Sequence, residues 1–340
     1  MTSSDIVMVA PAEARELALR VLQALGTGAD AAAVVAGSLV SAQLAGHDSH
    51  GIVRLREYAS FVDRGLAVPS ASPEVVRASG AVRVIDGNRC WGQLACRLAV
   101  QEAESVAQSQ GCAVVTIRNA NHVGRIGEYV EQLADAGLVG MLWCNADPCV
   151  APFGGVERML GTNPFAAGVP THGAPVVVDF ATAAIAEGKV RVARATGADV
   201  SPGAIIDRDG RESTNPNAFY EGGALLPFGQ HKGYALSLLI ELLGGGLSGG
   251  HPSVTDRYVW GNGVVLIAMD PSFFVDPKDF LDDTTDAVRI ITASRPADPL
   301  RPVMAPGDLE RAWADEREQA LPIAAAIWND ITALLEERTA

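Results

Sequence analysis

The sequence has no C-x-x-C pair, no apolar run long enough to cross a bilayer and little positive charge: 26 Lys and Arg stand against 40 Asp and Glu, a formal charge of −14. Each shortage excludes something. A nucleic-acid or anionic-membrane partner is excluded as the main ligand, because affinity for phosphate is drawn mostly from Lys and Arg. The most apolar stretch, residues 235–243, is interrupted by Glu241 and runs into glycines, too short for a membrane span. Residues 1–18 lack a basic stretch followed by an apolar core and a small-residue cleavage site, which predicts a cytoplasmic chain without a targeting signal. The five cysteines, Cys90, Cys96, Cys112, Cys144 and Cys149, are odd in number and fall in segments patterned as strands and helices. They read as small buried hydrophobes of a reducing compartment.

What is present is an enzyme-sized body. The 340 residues are long enough for about two domains. Residues 11–26, 30–45 and 52–63 carry apolar side chains at helical spacing, and Pro11 suits a first helical turn. From residue 74 short β-branched runs alternate with helical stretches: strands at 82–85, 112–117, 138–144, 176–180 and 264–269, helices at 92–109 and 126–136. Helical patterns return at 277–286, 308–317 and 321–337. The expected organisation is an α/β cofactor- and substrate-binding domain over 76–289, and a helical domain made of 1–75 with 290–340. Two long Gly/Pro-punctuated stretches, 147–175 and 196–229, read as binding loops.

Two motifs tempt and fail. Residues 244–249, Gly-Gly-Gly-Leu-Ser-Gly, satisfy the G-x-G-x-x-G spacing, but they follow a helix and precede Pro252, whereas a dinucleotide fingerprint leaves a strand and opens a helix. They read as a helix stop and turn. His47, His50 and His122, with Asp48, would permit a metal site, an alternative that a chelator tests; no metal is expected in the favoured reading.

Hydride transfer at a hydroxy acid needs a proton acceptor for the hydroxyl, a cation for the carboxylate and donors for the cofactor's phosphates. If a helix begins near Ser49, His50 and Arg54 share a face close to free backbone N–H groups. A guanidinium fork matches a carboxylate, and an imidazole beside it exchanges the hydroxyl proton. The bland alternative stands equally at this point: Ser49 caps a helix that His50 and Arg54 merely decorate.

Gly46-His47-Asp48-Ser49-His50-Gly51 followed by Arg54-Leu55 resembles the signature of the malate/L-lactate dehydrogenase family of NAD(P)-dependent oxidoreductases, distinct from the Rossmann-fold lactate and malate dehydrogenases. The resemblance continues in order through Gly92-Gln93, Asn121-His122-Val123-Gly124, Pro152-Phe153-Gly154-Gly155, Gly161-Thr162-Asn163-Pro164, Asp179-Phe180-Ala181-Thr182, Gly188-Lys189, Leu226-Pro227-Phe228-Gly229 and His231-Lys232-Gly233-Tyr234. It implies a non-Rossmann α/β fold, a mixed-sheet cofactor domain with a helical domain from both termini. It also implies an extended NAD or NADP, a small carboxylate substrate, and a homodimer with the active site between domains.

By the same resemblance His50 is the proton donor and acceptor, with Ser49 and Arg54 beside the substrate. In ureidoglycolate-oxidising relatives that role falls to the histidine matching His122, so both are retained. Cofactor contacts are implied for Val177, Val178, Asp179, Phe180, Ala181, Thr182 and Ala183, for His231 and Lys232, and for Gly307, Asp308 and Leu309. Lys232 also reads as a solvated lysine at a helix start, and Asp179 as a strand-end carboxylate accepting backbone N–H bonds. Ala183 stands where the family often has Ser, and Gln230 replaces a second Gly, which unsettles the fine cofactor contacts. His172 and His251 fall in loops outside these motifs and read as surface residues. Two rival activities remain: reduction of a cyclic imino acid, and silent binding of a nucleotide or small acid.

Overall fold

The computed structural model describes residues 6–339, so the start of the 1–18 segment lies outside the described residues. In chain order the elements are β1 (Ile6–Val9), α1 (Pro11–Ala24), α2 (Ala29–Leu44), a 3-10 turn Asp48–His50, α3 (Arg54–Asp63), β2 (Glu74–Ser79), β3 (Val82–Asp86), α4 (Gly92–Gln110), β4 (Cys112–Ala120), α5 (Gly127–Asp135), β5 (Val139–Cys144), β6 (Phe165–Val169), β7 (Val176–Phe180) and α6 (Glu187–Thr196). There follow β8 (Ile205–Ile206), β9 (Glu212–Ser213), α7 (Pro216–Tyr220), β10 (Ala224–Leu225), α8 (His231–Ile240) with its π-helical continuation Glu241–Leu247, β11 (Asn262–Met269), α9 (Pro277–Thr292), α10 (Asp308–Glu316), β12 (Leu321–Ala324) and α11 (Ala325–Thr339).

A seven-stranded mixed sheet of order β2-β3-β4-β11-β5-β6-β7 carries the site. The β3–β4 pair is parallel and the other neighbours are antiparallel. Helix α4 makes the crossover between the parallel pair. Its alanines Ala95, Ala99, Ala103 and Ala107 recur at helical spacing and are buried, so the helix lies close against the sheet. The core there is Ile85, Val115, Ile117, Leu133, Leu142, Val264 and Leu266. Each such side chain contributes about 1.5–3 kcal/mol by leaving water.

A second core joins the two ends of the chain: Leu22, Val35, Leu39, Leu55 and Tyr58 of α1, α2 and α3 pack with Ile331 and Leu334 of α11. Here the sequence expectation needs correcting, because residues 321–337 are not one helix. Leu321–Ala324 is a strand paired antiparallel with Ile6–Val9, in the register Ile6↔Ala324 to Val9↔Leu321. A proline second in line suits a helix start as well as an edge strand, so the distant partner, not local propensity, decides the outcome.

The glycine run also differs from expectation. It does not stop the helix at Gly244 but continues it as a π-helical turn through Leu247. A Cβ on Gly244 would lie 2.8 Å from the Asn145 nitrogen, so the missing side chain admits the end of β5 rather than a phosphate. The two long loops carry structure of their own: β6 lies in 147–175, and β8, β9, α7 and β10 in 196–229, around a third core of Val150, Ile205, Phe219 and Leu225. Among the described residues no helix is long and apolar enough to cross a membrane.

Candidate active site

The signature segment does not form the N-terminus of a helix at Ser49. Asp48–His50 is a single 3-10 turn, and Arg54 is the first residue of α3. The turn is pinned from two sides, since Asp48 accepts from Gln43 Nε2 of α2 at 2.8 Å and from Arg317 at 2.8 Å. Arg54 folds back onto the turn: its Nε donates to the Ser49 carbonyl at 2.6 Å, and a terminal amino group pairs with the Glu57 carboxylate. Ser49 caps nothing. Its hydroxyl lies 3.1 Å from His50 Nδ1 and orients the ring.

His122 comes from the loop after β4 and meets the turn across the two cores. Its imidazole stacks on that of His50, with ring centroids 5.5 Å apart and planes at 27°. Tyr58 Oη stands 3.0 Å from His122 Nδ1 and accepts from Gln93 Nε2 at 2.7 Å. Burial pushes the Tyr58 phenol up, so it stays protonated and donates to His122, leaving the ring's proton on Nε2. Gly92 permits this approach: a Cβ there would lie 2.3 Å from the Asn121 carbonyl oxygen and 2.6 Å from that of His122. Sequence reading named His50, His122, Ser49 and Arg54; it saw Tyr58 only as an apolar position of a helix and missed its link to Gln93. The signal was Tyr58 four residues beyond Arg54.

Both imidazoles are held neutral. Burial, then the positive charges of Arg54, His47 and Arg125, pull His50 down to about 3. Burial, Arg54 and His50 hold His122 well below the ordinary value of 6.5. Neutral His50 can accept a proton, and a substrate carboxylate on Arg54 would offset the guanidinium and move it back toward a working range.

The same shifts predict acid sensitivity. A folded pKa below the unfolded one means the unfolded chain binds more protons, so stability is present above 6.5 and is lost as pH falls toward 3 for His50. Between pH 6.5 and 5 each such ring costs up to about 2 kcal/mol. The melting temperature should fall over that interval, and by visibly less when His50 and His122 are both glutamine. An unchanged slope in the double variant would refute the account.

Two of the three expected cofactor segments meet in one cleft. Val177, Asp179 and Gly307 line it with Arg125, Glu131, Glu310 and Arg311, against apolar walls of Leu44 and Ala45, around a volume of about 220 Å³. The Val177 N–H donates to the Pro306 carbonyl at 3.0 Å, which ties the segments together. Val178 and Phe180 alternate with them along β7, Asp308 accepts from Arg311 at 2.8 Å, and Leu309 is exposed. Ala181 leads off the strand. Thr182 donates twice to the Thr162 carbonyl and accepts from the Phe228 N–H, and Ala183 bridges to Pro227.

The Phe228 bond sets the start of α8, with exposed His231 and Lys232, near Thr182 rather than in the cleft itself. Asp179 does accept a backbone N–H, from Gly127 at 2.8 Å, yet burial also raises its pKa. The residues fit an extended nucleotide. Apolar walls suit a ring, and Arg125, buried with its Nε unpartnered, suits an anionic oxygen.

His172 is on the surface, 2.7 Å from Asp282. His251 is half-buried instead, because its carbonyl accepts from Asn145 in a polar network with Asn163 and Glu241. That network is the use made of the Gly161-Thr162-Asn163-Pro164 motif. Among the described residues no group of three His, Cys, Asp or Glu is arranged to hold a metal ion.

A protein-family model described as malate/L-lactate dehydrogenase matches residues 9–332. Hydroxycarboxylate dehydrogenase B of Escherichia coli O157:H7 is 37% identical over 322 residues, 92% of this chain and 89% of its own. Among solved structures, sulfolactate dehydrogenase from Methanocaldococcus jannaschii superposes with a TM-score of 0.89 at 32% identity, covering 98% of both chains. Delta1-piperideine-2-carboxylate reductase from Pseudomonas syringae gives 0.86 at 33% identity, covering 96% of this chain and 99% of its own. These matches define a 2-hydroxyacid dehydrogenase, an NAD(P)-dependent oxidoreductase. The chain belongs to the malate/L-lactate dehydrogenase family, and the mixed seven-stranded sheet without a Rossmann glycine turn is the fold that the resemblance implied.

Proposed function

We propose that this chain interconverts a small 2-hydroxy acid and its 2-oxo acid, with His50 exchanging the oxygen-bound proton, Arg54 holding the carboxylate and His122 polarising the same oxygen. The observation that carries the reading is the stacked pair of neutral imidazoles beside one guanidinium. A nicotinamide held there would supply the hydride chemistry at C2. The 177–183 segment, Gly307-Asp308-Leu309, and His231 with Lys232 would hold it, and Ser49 fixes the His50 ring.

A second copy of the chain is the proposed partner, supported by a row of exposed leucines on α8 and its continuation, Leu238, Leu239, Leu242 and Leu247. Five free cysteines support work in the cytoplasm. Similarity to the piperideine-2-carboxylate reductase favours a cyclic imino acid as second reading, since that substrate presents the same carboxylate to Arg54.

The test is a panel of malate, lactate, sulfolactate, ureidoglycolate, a diketo sugar acid and a cyclic imino acid, with NAD(H) and NADP(H). Turnover of hydroxy or oxo acids well above the imino acid is expected. A preference for the imino acid establishes the second reading. Cofactor binding with no absorbance change on any substrate overturns both.

A further inference from the structure

His47 stands between the imidazole pair and the cofactor cleft, and the mechanism above leaves it unused. Its ring meets that of His50 edge-on, with centroids 6.5 Å apart, so a transfer between them would run through one bridging water. On the other side its Nε2 is buried without a hydrogen-bond partner and lies 3.7 Å from Glu310 Oε1. Glu310 in turn lines the cleft, with about a quarter of its side chain open to solvent.

We infer that His47 is a proton-relay residue, passing the proton that His50 takes from substrate to Glu310 and the solvent of the cleft. The inference rests on the proposed reaction. In oxidation the hydroxyl proton goes to His50 as the C=O bond forms, and a bound nicotinamide would take the C2 hydrogen with its electron pair. His50 must then lose that proton before the next turnover.

The charges decide the direction. His50 faces Arg54, Arg125 and His47, and His122 faces Arg54 and His50, with no carboxylate acting on either. His47 faces three carboxylates, Asp179 of β7, Glu310 of α10 and Asp48 of its own turn, against the single guanidinium of Arg125. Burial still lowers His47, but the acids oppose it. A proton is therefore better held on His47 than on either partner, and an unpaired Nε2 aimed at a carboxylate is a donor awaiting its charge.

The first measurement needs neither cofactor nor substrate: ring-nitrogen NMR titration of the cofactor-free protein. His47 is expected to protonate at higher pH than His50 and His122, and Glu310→Gln should lower it by about half a pH unit or more. A His47 that titrates with the others, or ignores Glu310→Gln, overturns the relay and leaves the reaction untouched. The second is kinetic. His47→Gln should lower kcat about tenfold in dilute buffer with KM nearly unchanged, a smaller loss than a direct acid–base group causes. Added imidazole should restore the rate, and the solvent deuterium effect should grow while that of C2-deuterated substrate shrinks. A loss confined to KM, or indifferent to imidazole, marks a structural role and sinks the relay. Absence of turnover in the unsubstituted protein, with the expected titration, is instead the failure of the proposed reaction.

Discussion

Replacing His50 with glutamine should lower kcat by about 10²- to 10⁴-fold, the range for removing a general acid–base group, while cofactor binding changes by no more than about threefold. Glutamine keeps a polar atom near Ser49 Oγ and the substrate oxygen but exchanges no proton. In the proposed reading the stacked partner cannot take over unaided, because Tyr58 occupies His122 Nδ1 and leaves only a protonated Nε2 to face the substrate oxygen. His122→Asn is accordingly expected to cost less, and the double variant little more than His50→Gln alone, since the two act on one oxygen. Steady-state kinetics with the preferred panel substrate, alongside cofactor titration by fluorescence, check this. Full kcat in His50→Gln with a dead His122→Asn would exchange the two roles, the arrangement implied for ureidoglycolate-oxidising relatives.

The sequence pattern located most of the scaffold and less of the geometry. Helical spacing and β-branched runs place α4, α5 and β7 within a residue or so of their observed bounds, because those elements bury one continuous face and their period survives in the sequence. It misplaces what depends on a distant partner. Leu321–Ala324 becomes a strand only because Ile6–Val9 lies beside it, and the glycines after Ile240 stay helical because Asn145 packs against them. The site shows the same division. His50, His122 and Arg54 are conspicuous as residue types at suggestive positions, yet the expected helical face does not exist. The Asp48–Arg317 and Arg54–Ser49 contacts that replace it join the turn to α10's end and to its own backbone. The roles of Tyr58, Gln93 and Arg125 are illegible in the sequence, because each draws its meaning from a neighbour on another element.

Arg54→Met should lower kcat/KM for the acid substrate by about 10³-fold, because truncating one partner of a hydrogen-bonded charge pair costs some 2–5 kcal/mol. Part of that loss is local. The Nε bond to the Ser49 carbonyl disappears, which frees the turn that aims His50, and Glu57 loses its partner but is 40% exposed and can be hydrated. Three readouts separate the clamp from this loosening. Arg54→Lys keeps the charge and loses the fork, so it should recover part of the binding and little of the orientation. The preference of the native protein for the acid over its primary amide should vanish in Arg54→Met, since a neutral amide never engaged the guanidinium. Arg54 also lowers the pKa of His50 and of His122. Its removal therefore raises both, and the acid limb of the kcat/KM profile should move to higher pH. A variant that loses acid and amide turnover equally, with the limb unmoved, would show Arg54 to be a brace for the turn rather than the group that holds the substrate.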